Sequence, residues 1–219
     1  MFTGLVQAIG TVIKVEQPAQ FPDAPVRLTI DTGSWDHKPR LGDSVSVAGV
    51  CLTVAERPMG RRGVLTFFAV AETLDKTTLR SLRLGSRVNL EHALTPSTLL
   101  GGHLVQGHID GRGKVVSVQK GLDWRVRVRL PKPLREFVVD KGSVCVDGAS
   151  LTIARTYADG LEVALIPTTL ELTTLGGLAP RDEVNIETDM VVKTIVSWAR
   201  RSGLGGAAGG KLPRARSGR

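Results

Sequence analysis

Aromatic residues are scarce in this chain of 219 residues, about 4% of the total, with a single tyrosine. Proteins that hold single-stranded nucleic acid stack its bases on aromatic rings along a basic groove, so the scarcity argues against that class. Cysteine is scarcer still. Cys51 and Cys145 occupy no metal-ligand spacing and no equivalent positions, which argues against a zinc site and against a disulfide framework. No apolar run is long enough to cross a bilayer as a helix. The start, MFTGLVQAIG, has neither a basic leader nor a continuous apolar stretch, and the expectation is a cytoplasmic protein with free thiols and no membrane association.

Negative charge is missing from one end. The formal net charge is +8, yet the last twenty positions hold six of the cations and no acid, which leaves +2 for the body. Residues 203–219, GLGGAAGGKLPRARSGR, have too little apolar content to order themselves and are expected to form a flexible tail. A basic-tailed barrel that binds RNA is disfavoured by that near-neutral body.

What the chain does have is itself, twice. Shifted by roughly a hundred residues it matches its own sequence, a period that means two copies of a whole domain rather than a solenoid. SVSVAGVCLTVA (44–55) answers SVCVDGASLTIA (143–154), AETLDKTTL (71–79) answers IPTTLELTTL (166–175), and SRVNLE (86–91) answers DEVNIE (182–187). LVQ recurs at 5–7 and 104–106. These matches set Cys51 opposite Ser150, Ile9 opposite His108 and Ala93 opposite Asp189. The two copies therefore offer similar but unequal pockets.

Each copy reads as all-β. RVRVRL (125–130) alternates strictly, VLTFFAV (64–70) and LEVALI (161–166) are rich in strand formers, and Gly and Pro punctuate them. No helix of useful length separates the strands, so an antiparallel barrel or sandwich is expected per copy. One helix is expected after Asp189, where MVVKTIVSWARR sets Val192, Ile195, Val196 and Ala199 on one stripe before Gly203. It packs either on its own domain or on copies of itself.

The segment GGHLVQGHIDG (101–111) brings His103 and His108 close in sequence. A metal reading lacks further ligands. A single functional imidazole beside Gly107, where backbone can approach a ligand, fits better. A hydrolase triad of Ser150, His108 and Asp189 is disfavoured, because GASLT is not a strand-to-helix nucleophile elbow.

MFTGLV, GVCLTV, ETL with TTL, VNLE, GGHLVQGHIDG, DGASLTI, IPTTLELTTL and VNIETD, in this order over about residues 1–200, resemble riboflavin synthase of the α-chain type. The resemblance implies two tandem six-stranded antiparallel Greek-key barrels, at 1–97 and 98–189, a C-terminal oligomerisation helix at 190–202 and the tail at 203–219. It implies a homotrimer with sites between neighbouring subunits, and association with lumazine synthase. The implied reaction is a dismutation of two molecules of 6,7-dimethyl-8-ribityllumazine, needing no cofactor and no metal. An antenna-type relative that binds lumazine or flavin without turnover is the rival.

Carried onto this sequence, the implied ligand contacts of the first barrel are Gly4, Leu5 and Val6, then Cys51, Leu52 and Thr53, then Phe68, Ala69, Val70, Ala71, Glu72 and Thr73. The second barrel's own set is Gly107, His108 and Ile109, then Lys141, then Ser150, Leu151 and Thr152, then Ala164, Leu165, Ile166, Pro167, Thr168 and Thr169. Cys51, His108, Ser150 and Asp189 are the implied catalytic residues, with His108 moving protons, Ser150 and Asp189 serving the second barrel and Cys51 the first. Thr168 and Leu172 depart from the family pattern, which commonly has Glu or His at the first position and a basic residue at the second.

Overall fold

A computed structural model describes residues 1–17, 24–57 and 63–204, so most of the expected tail lies outside the described residues. Twelve strands form two closed barrels in which neighbouring strands all run antiparallel. The first contains β1 (Ala8–Glu16), β2 (Val26–Asp31), β3 (Ser44–Val47), β4 (Val50–Glu56), β5 (Val64–Ala69) and β6 (Arg87–His92), closed in the order β1-β2-β5-β4-β3-β6. The second contains β7 (Gly111–Gln119), β8 (Arg125–Arg129), β9 (Ser143–Val146), β10 (Ala149–Tyr157), β11 (Gly160–Ala164) and β12 (Glu183–Thr188), in the equivalent circular order. Closure leaves no free sheet edge.

Alternation in the sequence becomes inside and outside. Val50, Leu52 and Val54 of β4 face one core while Thr53 is exposed, and Leu151 and Ile153 of β10 face the other while Thr152 is exposed. Register breaks recur at matching places, after Val12 and Val115 and after Val54 and Ile153. Such bulges bend a strand enough to close a small barrel.

Two short helices that the sequence reading did not anticipate interrupt the β pattern, α1 (Ala71–Lys76) and α2 (Pro167–Leu172), each followed by a 3-10 turn. The repeated Thr-Thr-Leu makes that junction. The hydroxyl of Thr77 donates to the Thr73 carbonyl (2.6 Å) and accepts from the Leu79 N–H, and Thr173 does the same with Thr169 and Leu175. The expected C-terminal helix is α3 (Met190–Arg201), and it faces both ways: Val192, Val196 and Ala199 are half-buried, whereas Val191, Ile195 and Trp198 are exposed. Among the described residues no helix is long and apolar enough to cross a membrane.

The repeated Asn of VNLE and VNIE binds the barrels to each other. Asn89 accepts from the Thr174 N–H (2.8 Å) and donates to the Asp147 carbonyl (2.8 Å); Asn185 accepts from the Thr78 N–H (2.7 Å) and donates to the Ala48 carbonyl (2.8 Å). Both asparagines are buried with oxygen and nitrogen each bonded, so each unmade bond would leave a costly orphan of about 1–3 kcal/mol. Between them the β3-β4 and β9-β10 turns meet back to back. A Cβ on Gly49 would lie 2.7 Å from the Gly148 nitrogen, and both turns use left-handed φ at successive residues, the form that suits a two-residue hairpin.

Candidate active site

The segment that precedes each barrel crosses to the other one. Residues 2–7 and 105–110 form two straps paired at Phe2 and Val105. The Ser150 N–H of β10 donates to the Gly4 carbonyl (2.7 Å), and the Cys51 N–H of β4 donates to the Gly107 carbonyl (2.9 Å). Contact is close enough to exclude any side chain: a Cβ on Gly4 would lie 2.6 Å from Ser150 Cβ, and one on Gly107 would lie 2.6 Å from Cys51 Cβ, both at positive φ. Val6 packs on the second core and Ile109 on the first.

This exchange corrects the sequence reading in two ways. Gly4, Leu5 and Val6 belong with Ser150 of the second barrel, and Gly107, His108 and Ile109 belong with Cys51 of the first. The equivalence of Gly4 with Gly107 also sets Leu5, not Ile9, opposite His108; the LVQ match was four residues out of register.

Each strap is held by the Glu of VNLE or VNIE. Glu91 accepts from the Thr3 N–H and hydroxyl (both 2.7 Å) and the Gly4 N–H (3.0 Å). Glu187 accepts from the N–H groups of Gln106 (2.7 Å), Gly107 (2.8 Å) and His108 (3.1 Å). Burial pushes both carboxyls above their ordinary range, and these hydrogen bonds pull them partly back. Cys145 lies in a small apolar cluster with Phe2 and Val105, where burial and the charge of Glu187 raise its thiol strongly. Such a thiol is inert.

The four implied catalytic residues do not converge on one point. Ser150 has a histidine partner, but it is His103: Nδ1 lies 2.7 Å from Ser150 Oγ. Burial lowers the pKa of His103, and the charge of Asp189 opposes that. Its Nε2 is buried without a protein partner among the described residues. Asp189 caps α3 by accepting from the Val191 N–H (2.7 Å). Ser150, His103 and Asp189 thus share the second barrel's mouth, while His108 stands on the strap over Cys51. His103 was visible in the sequence as half of the GGHLVQGH pair, and anchoring the repeats on Gly4 and Gly107 would have separated its role from that of His108.

The remaining implied contacts frame the two mouths. Pairing of Val54 with Phe67 and of Ile153 with Val163 runs the starts of β4 and β10 alongside the ends of β5 and β11. Leu52, Ala69, Leu151 and Leu165 point into the cores, so they offer backbone only. Thr53, Phe68, Val70, Ala71, Thr152, Ala164, Ile166, Pro167 and Thr168 are exposed, and Thr73 and Thr169 are half-buried. Lys141 is exposed in a left-handed turn, its N–H donating to the Ile153 carbonyl (2.9 Å). Glu72 pairs with Lys76 at 2.7 Å along α1, and Thr168 and Leu172 occupy the equivalent places on α2, where no such pair forms. An interbarrel cleft of about 910 Å³, lined by Thr78, Arg83, Asp147, Thr174 and Arg181 among others, contains none of the candidates. A hollow of about 530 Å³ on the first barrel contains only Phe68 of them. Leu5, Phe68, Val70, Leu104 and Ile166 are exposed among the candidate residues.

Known proteins match this chain at the level of domain, sequence and fold. The model of the lumazine binding domain matches twice, over residues 3–93 and 106–189. A riboflavin synthase of Mycobacterium tuberculosis is 42% identical over 207 residues, covering 93% of this chain and all of the relative. One of Brucella abortus is 38% identical over 196 residues, covering 88% and 95%. Among solved structures, LumP complexed with 6,7-dimethyl-8-(1'-D-ribityl) lumazine superposes with a TM-score of 0.75 at 26% identity, covering 86% of this chain and 99% of that one. Two copies of the lumazine binding domain, together with riboflavin synthases 38–42% identical along most of the chain, place this chain in the riboflavin synthase family.

Proposed function

We propose that this protein converts two molecules of 6,7-dimethyl-8-ribityllumazine into one riboflavin and one 5-amino-6-ribitylaminouracil. The observation that carries the reading is the pair of strap-lined mouths, alike in backbone and unlike in polar side chains: Cys51 with His108 on one, Ser150 with His103 and Asp189 on the other. Like backbone suits two copies of one heterocycle, whose amide edges take neutral donors and acceptors. Unlike side chains assign the two copies different roles.

One lumazine loses a proton from its 7-methyl group and becomes a carbon nucleophile; the other accepts a nucleophile at C7. The rings join, the bond from the nucleophile to C7 breaks and the nucleophile regains its proton, and a four-carbon unit passes from donor to acceptor as the uracil leaves. Electron demand is met between the two substrates. His108 moves protons in the Cys51 mouth, and His103, 2.7 Å from Ser150 Oγ, takes the hydroxyl proton as that oxygen adds to C7. Holding two aligned rings in contact contributes about 7–11 kcal/mol, and acid–base help about 10²- to 10⁴-fold more.

Exposed apolar side chains at both mouths, Leu5, Phe68, Val70 and Ile166 among them, would be covered by a second surface. The outward side chains of α3, Val191, Ile195 and Trp198, supply a self-association face, and a homotrimer with the first barrel of one subunit against the second barrel of the next is part of this proposal. The test is to incubate the protein with the lumazine alone and follow riboflavin absorbance; one riboflavin for every two lumazines consumed is expected. Tight binding without product would favour the antenna reading that the likeness to LumP suggests.

A further inference from the structure

One partly buried ion pair ties α3 to the strap over Cys51. Lys193 Nζ lies 2.9 and 3.0 Å from the two carboxylate oxygens of Asp110, and Asp110 also accepts from the Thr188 N–H and hydroxyl, both at 2.7 Å. The side chains are only 23% and 20% exposed, so salt screens this pair less than it does a surface pair. Asp110 stands at the end of the strap, two residues beyond His108. Glu187 grips the same strap through the N–H groups of residues 106–108.

The first repeat has no such tie. Gln7 is the counterpart of Asp110, and its side chain accepts from the His92 N–H (3.1 Å) as Asp110 does from Thr188. No cation is bonded to Gln7 among the described residues. The asymmetry is therefore confined to the strap that carries His108.

We propose that Lys193 is a positioning residue, joining the C-terminal helix to residues 105–110 so that the seating of the helix fixes His108 over the Cys51 mouth. The inference rests on the riboflavin synthase reading for its kinetic consequences, though not for its structural ones. Lys193 acts a second time through charge. The charged groups that act on Glu187 are Lys193 of α3 and Asp110 of the strap, and Glu187, Glu91 and Asp147 all act on the thiol of Cys145 in β9. Lys193 is the cation among them, and it favours the ionised form of Glu187 that accepts the strap's N–H groups. Without it, Glu187 takes up a proton at higher pH and its hold on residues 106–108 weakens.

The test compares Lys193→Met, Lys193→Arg and Arg200→Met in the full chain. Arg200 pairs with Glu136, far along the helix from the strap, and controls for helix docking as such. Lys193→Met is expected to lower kcat about tenfold with KM within about twofold, as a misplaced catalytic group does. The acid limb of its kcat profile should move to higher pH, and the amide hydrogens of residues 106–108 should exchange about tenfold faster without substrate. Lys193→Arg should restore all three, and Arg200→Met should move none. Unchanged exchange and kcat in Lys193→Met, or equal losses in Arg200→Met, would overturn the proposal. If Lys193→Met does not fold, exchanging the charges with Lys193→Asp and Asp110→Lys decides: recovered protection at 106–108 supports the tie, and its loss refutes it. A wild-type chain that makes no riboflavin would end the functional reading alone, since exchange is measured without turnover.

Discussion

In the proposed reaction, single side chains divide the labour at the two mouths. Removing the Ser150 hydroxyl or the His103 ring should lower kcat by about 10²-fold or more, with the protein folded and the lumazine still bound. His108→Ala and Cys51→Ser should slow turnover at saturating substrate through the other mouth; steady-state rates that match wild type would remove those residues from the reaction. Asp147 makes a separate prediction. It is buried where the first repeat has Ala48, accepts from the Asn185 N–H (2.7 Å), and burial raises its carboxyl to about 7. Because the folded value lies above the unfolded one, the folded chain holds a proton that the unfolded chain releases. Stability therefore falls as pH rises from about 4 to about 7. Asp147→Asn removes the ionisable group while keeping an acceptor, so urea unfolding at pH 8 should show it more stable by up to about 4 kcal/mol, with a flatter pH profile.

At the scale of the element, the two short helices show what a duplicated segment can lose. Glu72 and Lys76 form an i,i+4 pair on α1, and Thr168 and Leu172 leave α2 without one. Thr168→Glu with Leu172→Lys should add only about 0.3–0.5 kcal/mol by thermal unfolding. KM for the lumazine should nevertheless fall severalfold, because Thr168 stands beside the second mouth; an unchanged KM would mean that α2 does not touch the ligand. On α3, Ile195→Asp should break self-association and activity together in sedimentation and turnover assays, while circular dichroism shows both barrels intact.

Over the whole molecule, the strands and the duplication were legible because each rests on local patterning. VNLE, TTL and AGV were legible as repeats but not as contacts, since Asn89 and Asn185 act on the barrel to which they do not belong. The crossing of the straps was hidden for the same reason. MFTG and QGHI read alike whether they cover their own barrel or its neighbour, and the chance recurrence of LVQ drew the register away from Gly4 and Gly107. α1 and α2 escaped because six residues are too few for a helical period to show. A chain cut to residues 1–97 supplies a further test. It keeps the strap meant for the second barrel and lacks the one that covers Cys51, so it should associate in pairs, each strap lying over the other copy's Cys51. Light scattering that shows only monomers would contradict this.

Because each half carries the cover for its sibling's candidate site, a redesign of one half has to take in the matching segment of the other. A substitution at Leu5 alters the surroundings of Ser150, and a substitution at His108 alters those of Cys51. The ancestral arrangement this suggests is a pair of identical short chains already embracing, whose later fusion gave each partner freedom to specialise without letting go.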